Sequence, residues 1–460
     1  MPTTPARRGK SAKTEARKPT KEELIAKAAK PSEDAMKLHP FYRGKIEVSP
    51  KCCVRDFDDF AIWYSPGVAA PCKDIAKNPE KVYEHTNKAN MVAVVSDGTR
   101  VLGLGDIGAA ASIPVMEGKG LLFKYLGGVD AFPICLDTKD PDEIIRTVEI
   151  LQPCFGGINL EDISQPKCFY ILDELRKRCK IPVWHDDQQG TATVCLAGLL
   201  GALKVVGKRI QDVKIVLFGA GAANIRIGTL YMAAGAKPGN LIYVDSHGIL
   251  HKHRTDLENH KEKWHMCHCT NEHGITGTVA DALKGADVLS AASTPGPDTI
   301  KKEVLAGMNK DAICFMTANP VPEMWPWDAQ EMGARIVGTG RSDFPNQVNN
   351  SLGFPGIFRG TLDVRAKTIT NEMCIAAAEE LVACAEAKGL HEEHIIPKMD
   401  EPGIFARVAV AVGMKAIEQG IAQRPMKRDE LFKLATETIE RARQETHLKM
   451  KAGIIAAAPK

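Results

Sequence analysis

Short apolar runs alternate with helical stretches along the second half of this chain, and this alternation limits its fold more than any other feature. The runs lie at residues 214–218, 241–244, 287–292, 312–316 and 335–338. Strands that alternate with helices at this spacing predict a doubly wound parallel sheet. We therefore expect a Rossmann-like α/β domain over residues 191–425, followed by a helical extension over residues 426–460.

A similar pattern in the first half predicts another α/β domain, over residues 39–190. Apolar runs at 91–95, 127–134 and 181–184 predict buried strands, and residues 141–151 and 191–206 predict helices. Two domains also agree with the length, because 460 residues exceed what one hydrophobic core usually holds.

The first 38 residues predict a disordered basic tail. Residues 1–30 are rich in Lys, Arg and Pro and poor in large apolar side chains, so they cannot offset the entropy lost on ordering. The first acidic residue is Glu15, which is also compatible with an organelle-import sequence, but the lysines and early prolines argue against its usual Arg-rich form. We expect a cytoplasmic protein, with an organelle matrix as the alternative.

Composition and charge exclude several classes of function. A net charge of +3 is small for this length and gives no reason to expect nucleic acid as a partner. No run of about eighteen uncharged apolar residues is present, so no membrane span is expected. The 13 cysteines are scattered, which favours free thiols in a reducing compartment. Cys267 and Cys269 lie among several histidines, but their spacing is not that of a zinc finger, and a polar surface segment is the preferred interpretation.

A glycine-rich turn predicts where a dinucleotide would bind. Gly219 and Gly221 follow a predicted strand, and Ala222 opens a predicted helix, so the helix N-terminus can receive a pyrophosphate. The third position of the fingerprint, usually Gly or Ala, is Asn224. We take these four residues as the candidate phosphate-binding turn.

The next strand ends on Asp245, about where a ribose-binding acid is expected. A carboxylate there favours NAD, since it accepts a hydrogen bond from the ribose 2′-hydroxyl and repels a 2′-phosphate. His247, Lys252 and Arg254 lie nearby and could offset that repulsion. The sequence therefore leaves the choice between NAD and NADP open.

Two carboxylate pairs in the first half are candidates for a metal site. Both pairs lie at predicted loop positions: Glu161-Asp162 follows the stretch GGINL at 156–160, and Asp186-Asp187 follows a predicted strand. Charged pairs beside apolar residues are costly to bury unless they bind a cation, and oxygen ligands suit Mg²⁺ or Mn²⁺. For either pair alone, capping of a loop is the simpler interpretation.

Tyr64 and Lys119 are candidate proton-transfer groups, since both lie at predicted turns beside apolar segments. A Tyr or Lys acts as acid or base when its surroundings move its pKa toward neutrality. Taken singly, Tyr64 is more often a packing residue and Lys119 a solvated one.

Seven segments together resemble the malic enzymes, in their shorter form. They are YSPGVAAPC at 64–72, SDGTRVLGLGDIG at 96–108, PVMEGK at 114–119, NLEDI at 159–163, WHDDQQGT at 184–191, TANP at 317–320 and NNSLGFPG at 349–356. The resemblance runs in order from about Phe41 to about Pro425. It implies oxidation and decarboxylation of L-malate to pyruvate and carbon dioxide, with reduction of NAD or NADP.

The resemblance also implies roles for single residues. Lys119 matches the general base, Tyr64 matches the acid, and Asp186 matches the acid beside the metal ligands. The ligands of Mg²⁺ or Mn²⁺ match Glu161, Asp162 and Asp187, and the residues that border the substrate match Arg100, Asn319 and Asn350. Asn319 also borders the nicotinamide in this family.

Three alternatives and one further expectation accompany this prediction. The same metal and acid would serve a redox-neutral malolactic or oxaloacetate decarboxylase reaction. A catalytically silent regulatory protein would have no need of the acid and base residues, and an amino-acid dehydrogenase would have no use for the carboxylates. Members of the family are generally oligomeric, so we expect a homodimer or a higher homo-oligomer.

Overall fold

A computed structural model gives the fold and describes residues 21–459 of the chain. Of the described residues, 21–44 and 456–459 form one compact unit, and 45–455 form another. The first unit contains helix α1, Lys21–Tyr42. This helix corrects the predicted disordered tail for residues 21–38, because Glu, Leu, Ala and Lys in this stretch favour a helix. The earlier part of the predicted tail lies outside the described residues.

The larger unit contains the remaining helices and all ten strands of the described chain. The strands are β1 (Met91–Ser96), β2 (Asp130–Cys135), β3 (Gly157–Leu160), β4 (Val183–His185), β5 (Ile215–Phe218), β6 (Leu241–Asp245), β7 (Gly248–Ile249), β8 (Val288–Ala291), β9 (Ile313–Met316) and β10 (Ile336–Thr339). The α-helices are α2 (Asp59–Trp63), α3 (Ala69–Lys77), α4 (Val82–His85), α5 (Gly108–Gly127), α6 (Pro141–Leu151), α7 (Lys167–Arg178), α8 (Thr191–Val206), α9 (Ala222–Ala233), α10 (Lys261–Cys269), α11 (Val279–Leu283), α12 (Pro326–Glu331), α13 (Phe354–Asp363), α14 (Asn371–Glu386), α15 (Ile404–Glu418) and α16 (Arg428–Lys451). Asp186–Gly190 forms a π-helical turn before α8.

The first sheet has the strand order β2-β1-β3-β4, and all its neighbouring strands are parallel. The chain adds β2 on one side of β1 and then β3 on the other, which opens a crevice beyond the carboxyl ends of β1 and β3. In parallel sheets such a crevice is where ligands bind. The acids predicted as metal ligands follow β3 and β4 directly.

The second sheet has the order β10-β9-β8-β5-β6-β7, parallel except for the short antiparallel β7. Its order reverses between β5 and β8, so its own crevice lies beyond the carboxyl ends of those two strands. The predicted α/β fold with a doubly wound parallel sheet is confirmed.

The C-terminal helices pack on the first half of the chain as well as on the second. The Phe123 ring of α5 lies 4.6 Å from the Phe354 ring and 5.1 Å from the Phe358 ring, both in α13. Helices α15 and α16 join α5 in a further apolar cluster that includes Leu126 and Ile439. The chain after the second sheet therefore returns to the first one and fixes the two halves against each other.

One helical stretch among the described residues, Asp186–Val206, is long and apolar enough to cross a membrane, with a mean hydropathy of 1.4. Of its most apolar window, 72% is buried inside the fold. Burial to this extent is typical of a core helix.

Phe358 should be among the residues that stabilise this arrangement most. It is fully buried and also contacts Trp184 of β4, at 6.3 Å between ring centroids. Phe358→Ala should lower the free energy of unfolding by about 3–5 kcal/mol, because it leaves a cavity where α13, α5 and β4 meet. Urea denaturation measures this, with the half-exposed Phe432→Ala as the control. Equal losses in the two variants would contradict the packing described here.

Candidate functional site

The crevices of the two sheets open into one cavity of about 610 Å³. Its first wall comes from α5 and from the segments that follow β1, β3 and β4, and its second wall from the segments that follow β5, β8 and β9. Asn349 and Asn350, which precede α13, complete the lining. The cavity therefore contains the carboxyl ends of strands from both sheets.

Three carboxylates lie together on the first wall. Glu161, Asp162 and Asp187 each offer an oxygen atom, and these oxygens lie within 4.8 Å of one another. Glu161 and Asp162 are buried. We refer to these three residues as the carboxylate triad.

The backbone holds the carboxylate triad together. The amide of Asp162 donates to Oδ2 of Asp187 at 2.8 Å, and Nδ2 of Asn159 donates to Oε2 of Glu161 at 2.9 Å. Asp162 has a φ of +55°, a conformation that non-glycine residues seldom adopt and that clusters at functional sites. The triad is thus positioned by its own loop.

The electrostatics of the triad suit a divalent cation. Burial raises the pKa of Glu161 and Asp187, and burial together with Asp187 raises the pKa of Asp162 to about 8. Oδ2 of Asp162 is buried and has no hydrogen-bond partner among the described residues. Oxygen ligands in this arrangement are those that Mg²⁺ and Mn²⁺ prefer, so the residues present fit such an ion.

Lys119 lies beside the triad on α5. Its Nζ donates to Oδ2 of Asp186 and lies 3.2 Å from Oε1 of Glu161. The Phe354 ring centroid is 4.4 Å away. Burial alone would lower the pKa of Lys119, but Asp186, Glu161 and Asp187 raise it overall.

Asp186 is not one of the triad but is held just as firmly. It is fully buried, and Nε1 of Trp184 donates to its Oδ1 at 3.1 Å. The π-helical turn brings the backbone of Gly190 so close that a Cβ atom there would lie 1.9 Å from the same oxygen. π-Helical turns of this kind occur often at functional sites.

The three residues predicted to border the substrate all line the cavity. Arg100 follows β1, and its amide donates to the carbonyl oxygen of Asp162 at 2.9 Å. Asn319 follows β9, and Asn350 precedes α13. The fold thus brings residues from three distant parts of the chain to one cavity.

Tyr64 is placed elsewhere. Its side chain is 74% exposed and does not line the cavity of its own chain. It follows α2 in a segment that also exposes Phe57, Phe60, Ile62 and Trp63. Within one chain, the structure therefore does not bring the predicted acid to the predicted base.

The glycine turn has the expected shape. Gly219 has a φ of +95°, and a Cβ atom there would lie 2.6 Å from the carbonyl oxygen of Ala292. Gly221 and Ala222 line the cavity at the start of α9. Asn224 is buried and does not line it. The side-chain Nδ2 of Asn224 donates to the carbonyl oxygens of Phe218 and Gly219, at 2.8 and 2.7 Å. These two hydrogen bonds hold the turn against the strand.

The carboxylate of Asp245 already has partners within the protein. Arg254 donates to both of its carboxylate oxygens at 3.1 Å, and Nζ of Lys263 lies 3.7 Å away. Burial alone would raise the pKa of Asp245, but Arg254 and the amide of His247 lower it overall. The carboxylate is already neutralised, so its presence does not exclude a 2′-phosphate.

Among residues 21–459, the carboxylate triad is the one group of His, Cys, Asp or Glu side chains close enough to share a metal ion. The His- and Cys-rich segment predicted as a polar surface segment forms helix α10, in which Met266 and Cys267 are buried. The exposed His268 bonds within the same helix, where its Nδ1 donates to the carbonyl oxygen of Trp264 at 2.9 Å.

Sequence reasoning did not assign the residues that support the site. Asn159 and Trp184 were recognised only as parts of motifs, and Phe354 likewise. Lys167, whose Nζ lies 2.5 Å from Oδ2 of the buried Asp97, was not singled out at all. The feature that marks such supporting residues is a buried side chain next to a candidate ligand. Burial cannot be read from the sequence before the fold is known.

The glycine turn, the two parallel sheets and the shared cavity define an α/β oxidoreductase of the dinucleotide-binding class. Residues 43–176 match the family model of the malic enzyme N-terminal domain, and residues 188–328 and 333–418 match that of the malic enzyme NAD binding domain. The chain belongs to the malic enzymes, which are decarboxylating oxidoreductases dependent on NAD or NADP.

The chain is similar to relatives named as NAD-dependent and to relatives named as NADP-dependent malic enzymes. The bifunctional malic/malolactic enzyme of Bacillus subtilis (strain 168) is 49% identical over 85% of this chain and 94% of its own. The NAD-dependent malic enzyme of Geobacillus stearothermophilus is 49% identical over 83% of this chain and 78% of its own. The NADP-dependent malic enzyme of Escherichia coli (strain K12) is 45% identical over 86% of this chain, which spans 53% of that relative.

Solved structures agree over nearly the whole fold. The malic enzyme of Entamoeba histolytica has a TM-score of 0.93 at 47% identity, covering 96% of this chain and 93% of its own. That of Pyrococcus horikoshii Ot3 has a TM-score of 0.85 at 49% identity, covering 90% and 100%.

The metal-free protein should lose stability as the pH rises from about 4 to about 8. The pKa of Asp162 is raised from 3.8 to about 8, so in this range the folded chain holds a proton that the unfolded chain has released. A divalent cation replaces that proton. The rise in melting temperature on adding Mn²⁺ should therefore be larger at about pH 8 than at about pH 5. A rise independent of pH, or one that Asp162→Asn keeps in full, would contradict this.

Removing Arg254 should shift the coenzyme preference toward NAD. Arg254→Ala leaves the carboxylate of Asp245 without its closest cation, so it repels a 2′-phosphate. The ratio of kcat/KM for NADP to that for NAD should fall about tenfold or more, as expected for loss of a charge-assisted contact. Arg335→Ala, which breaks a surface ion pair with Asp311, is the control. An unchanged ratio would show that Asp245 does not act on the coenzyme.

Proposed function

We propose that this chain oxidises and decarboxylates L-malate to pyruvate and carbon dioxide, with reduction of NAD or NADP, and that it depends on Mg²⁺ or Mn²⁺. The observation that carries the proposal is the position of Lys119, a buried cation between the carboxylate triad and Asp186 in the cavity that the glycine turn also lines. A proton-transfer group, a cation site and a coenzyme turn thus face one space.

In this proposal Lys119 gives up its own proton before the reaction, which the charge of a bound divalent cation would favour. Its neutral Nζ then takes the proton from the substrate hydroxyl. Asp186 lies outside the triad and is a direct partner of that nitrogen, so it stabilises the protonated form. Arg100, Asn319 and Asn350 bind and orient the substrate. When bound, the divalent ion supplies Lewis acidity and the coenzyme supplies the oxidising power. Glu161, Asp162 and Asp187 would hold that ion.

The initial rate of absorbance change at about 340 nm tests the reaction, with L-malate, Mn²⁺ and either NAD or NADP. A signal that EDTA abolishes and that Lys119→Ala reduces by at least about a hundredfold is the expected result. Normal malate oxidation by Lys119→Ala would place the base elsewhere. No signal from folded protein with either coenzyme would contradict the proposal as a whole.

A redox-neutral reaction is the second candidate, because the similar Bacillus subtilis relative is named a bifunctional malic/malolactic enzyme. The same proton-transfer groups would then act without net release of reduced coenzyme. Lactate formed from malate, with no lasting change in absorbance, identifies this reaction. Pyruvate and reduced coenzyme in equal amounts identify the first one.

We further propose that Tyr64 supplies the acid from a second copy of the chain. Two observations support this: Tyr64 does not line the cavity of its own chain, and its segment exposes several large apolar side chains that an interface would cover. The expected homodimer would then have two sites, each built from both subunits.

Co-expression of two inactive variants tests this arrangement. When Tyr64→Phe and Lys119→Ala subunits assemble at random, each mixed dimer contains one site with both native residues. Activity should therefore recover to about a quarter of the wild-type value. If Tyr64 acts within its own chain, every site lacks one residue and no activity returns.

A further inference from the structure

A buried carboxylate behind the second wall of the cavity has no part in the function proposed above. Glu323 follows β9 and is completely buried. Among residues 21–459, no Lys, Arg or His forms a salt bridge with it, and burial raises its pKa. A charged group in such a position is costly unless hydrogen bonds compensate, so its partners are informative.

The partners of Glu323 are the ends of two neighbouring strands of the second sheet. Its Oε1 accepts from the amide of Ser293 at 2.8 Å and from the hydroxyl of Ser293 at 3.3 Å. Its Oε2 accepts from the amide of Ala318 at 3.1 Å. Ser293 follows β8 and Ala318 follows β9, and both line the cavity. One carboxylate therefore joins two of the three segments that form the second wall.

These two segments also meet the first half of the chain. A Cβ atom on Gly103 would lie 2.5 Å from Cγ of Pro295 and 2.7 Å from the carbonyl oxygen of Asn319. Gly103 belongs to the loop after β1 that carries Arg100. The backbone of this loop thus rests on the Pro295 ring and on the backbone of Asn319, which belong to the segments that Glu323 joins.

We infer that Glu323 is a positioning residue: by joining the segments at Ser293 and Ala318, it sets the place of Asn319 and of the coenzyme-binding wall. This inference rests on the proposed function for the roles of Asn319 and of the cavity. A carboxylate offers one acceptor atom to each of the two amide donors. A carboxamide would turn an N–H group toward one of those donors and release one segment.

Glu323→Gln tests the inference with little change in shape. We expect the dissociation constant of the coenzyme, measured by calorimetry, to rise about tenfold to a hundredfold, as for a lost hydrogen bond to a charged group. The dissociation constant for Mn²⁺ should stay within about twofold, because the carboxylate triad lies on the other wall. Glu323→Asp should restore part of the coenzyme affinity, since it keeps both acceptors.

Asp363→Asn is the matched control. Asp363 is also a buried carboxylate, but it bonds to Arg359 and does not line the cavity. The Asp363→Asn variant should have a lower melting temperature, without a selective loss of coenzyme affinity. Unchanged coenzyme binding in Glu323→Gln, or an equal loss of Mn²⁺ affinity, would overturn the inference. These binding measurements do not depend on which reaction is catalysed, so a failure of the proposed function would remain distinguishable.

Discussion

The ammonium group of Lys119 lies beside four carboxylates, of which Glu161, Asp162 and Asp186 are buried and Asp187 is partly exposed, and the rest of the cavity is organised around this cluster. Removing so many charges from water is unfavourable, and burial accordingly raises the pKa values of Glu161, Asp186 and Asp187. One lysine cannot neutralise four acids. In the metal-free chain the raised pKa values favour protons on these acids, and a divalent cation that displaces the protons would be held by the carboxylates they leave.

Parallel strands explain how these charges come together. Each candidate residue of the first wall follows the carboxyl end of a strand or lies on α5, and each candidate of the second wall follows a strand of the other sheet or precedes α13. The C-terminal helices then pack on α5 through Phe123, Phe354 and Leu126. Since Phe354 also contacts Lys119, the packing between the halves and the placement of the proposed base share one side chain.

Several polar residues of the second half act on the protein itself. Asn224 holds the glycine turn, Arg254 neutralises Asp245, and Glu323 joins two strand ends. Asn224 and Asp245 were predicted to contact the coenzyme, whereas the hydrogen bonds named here lie within the protein. The sequence assigned no role to Glu323.

The sequence by itself determined the α/β class, the alternation of strands and helices along the chain, and the family. It also determined the helices at Pro141–Leu151 and Thr191–Val206. These depend on periodicity and on local motifs, which are written in neighbouring residues. Only the tertiary structure decided what lies next to what. It placed Asp186 rather than solvent beside Lys119, paired Asp245 with Arg254, and left Tyr64 outside its own cavity. Such contacts join residues far apart in sequence or depend on burial, and neither is visible until the sheets have formed.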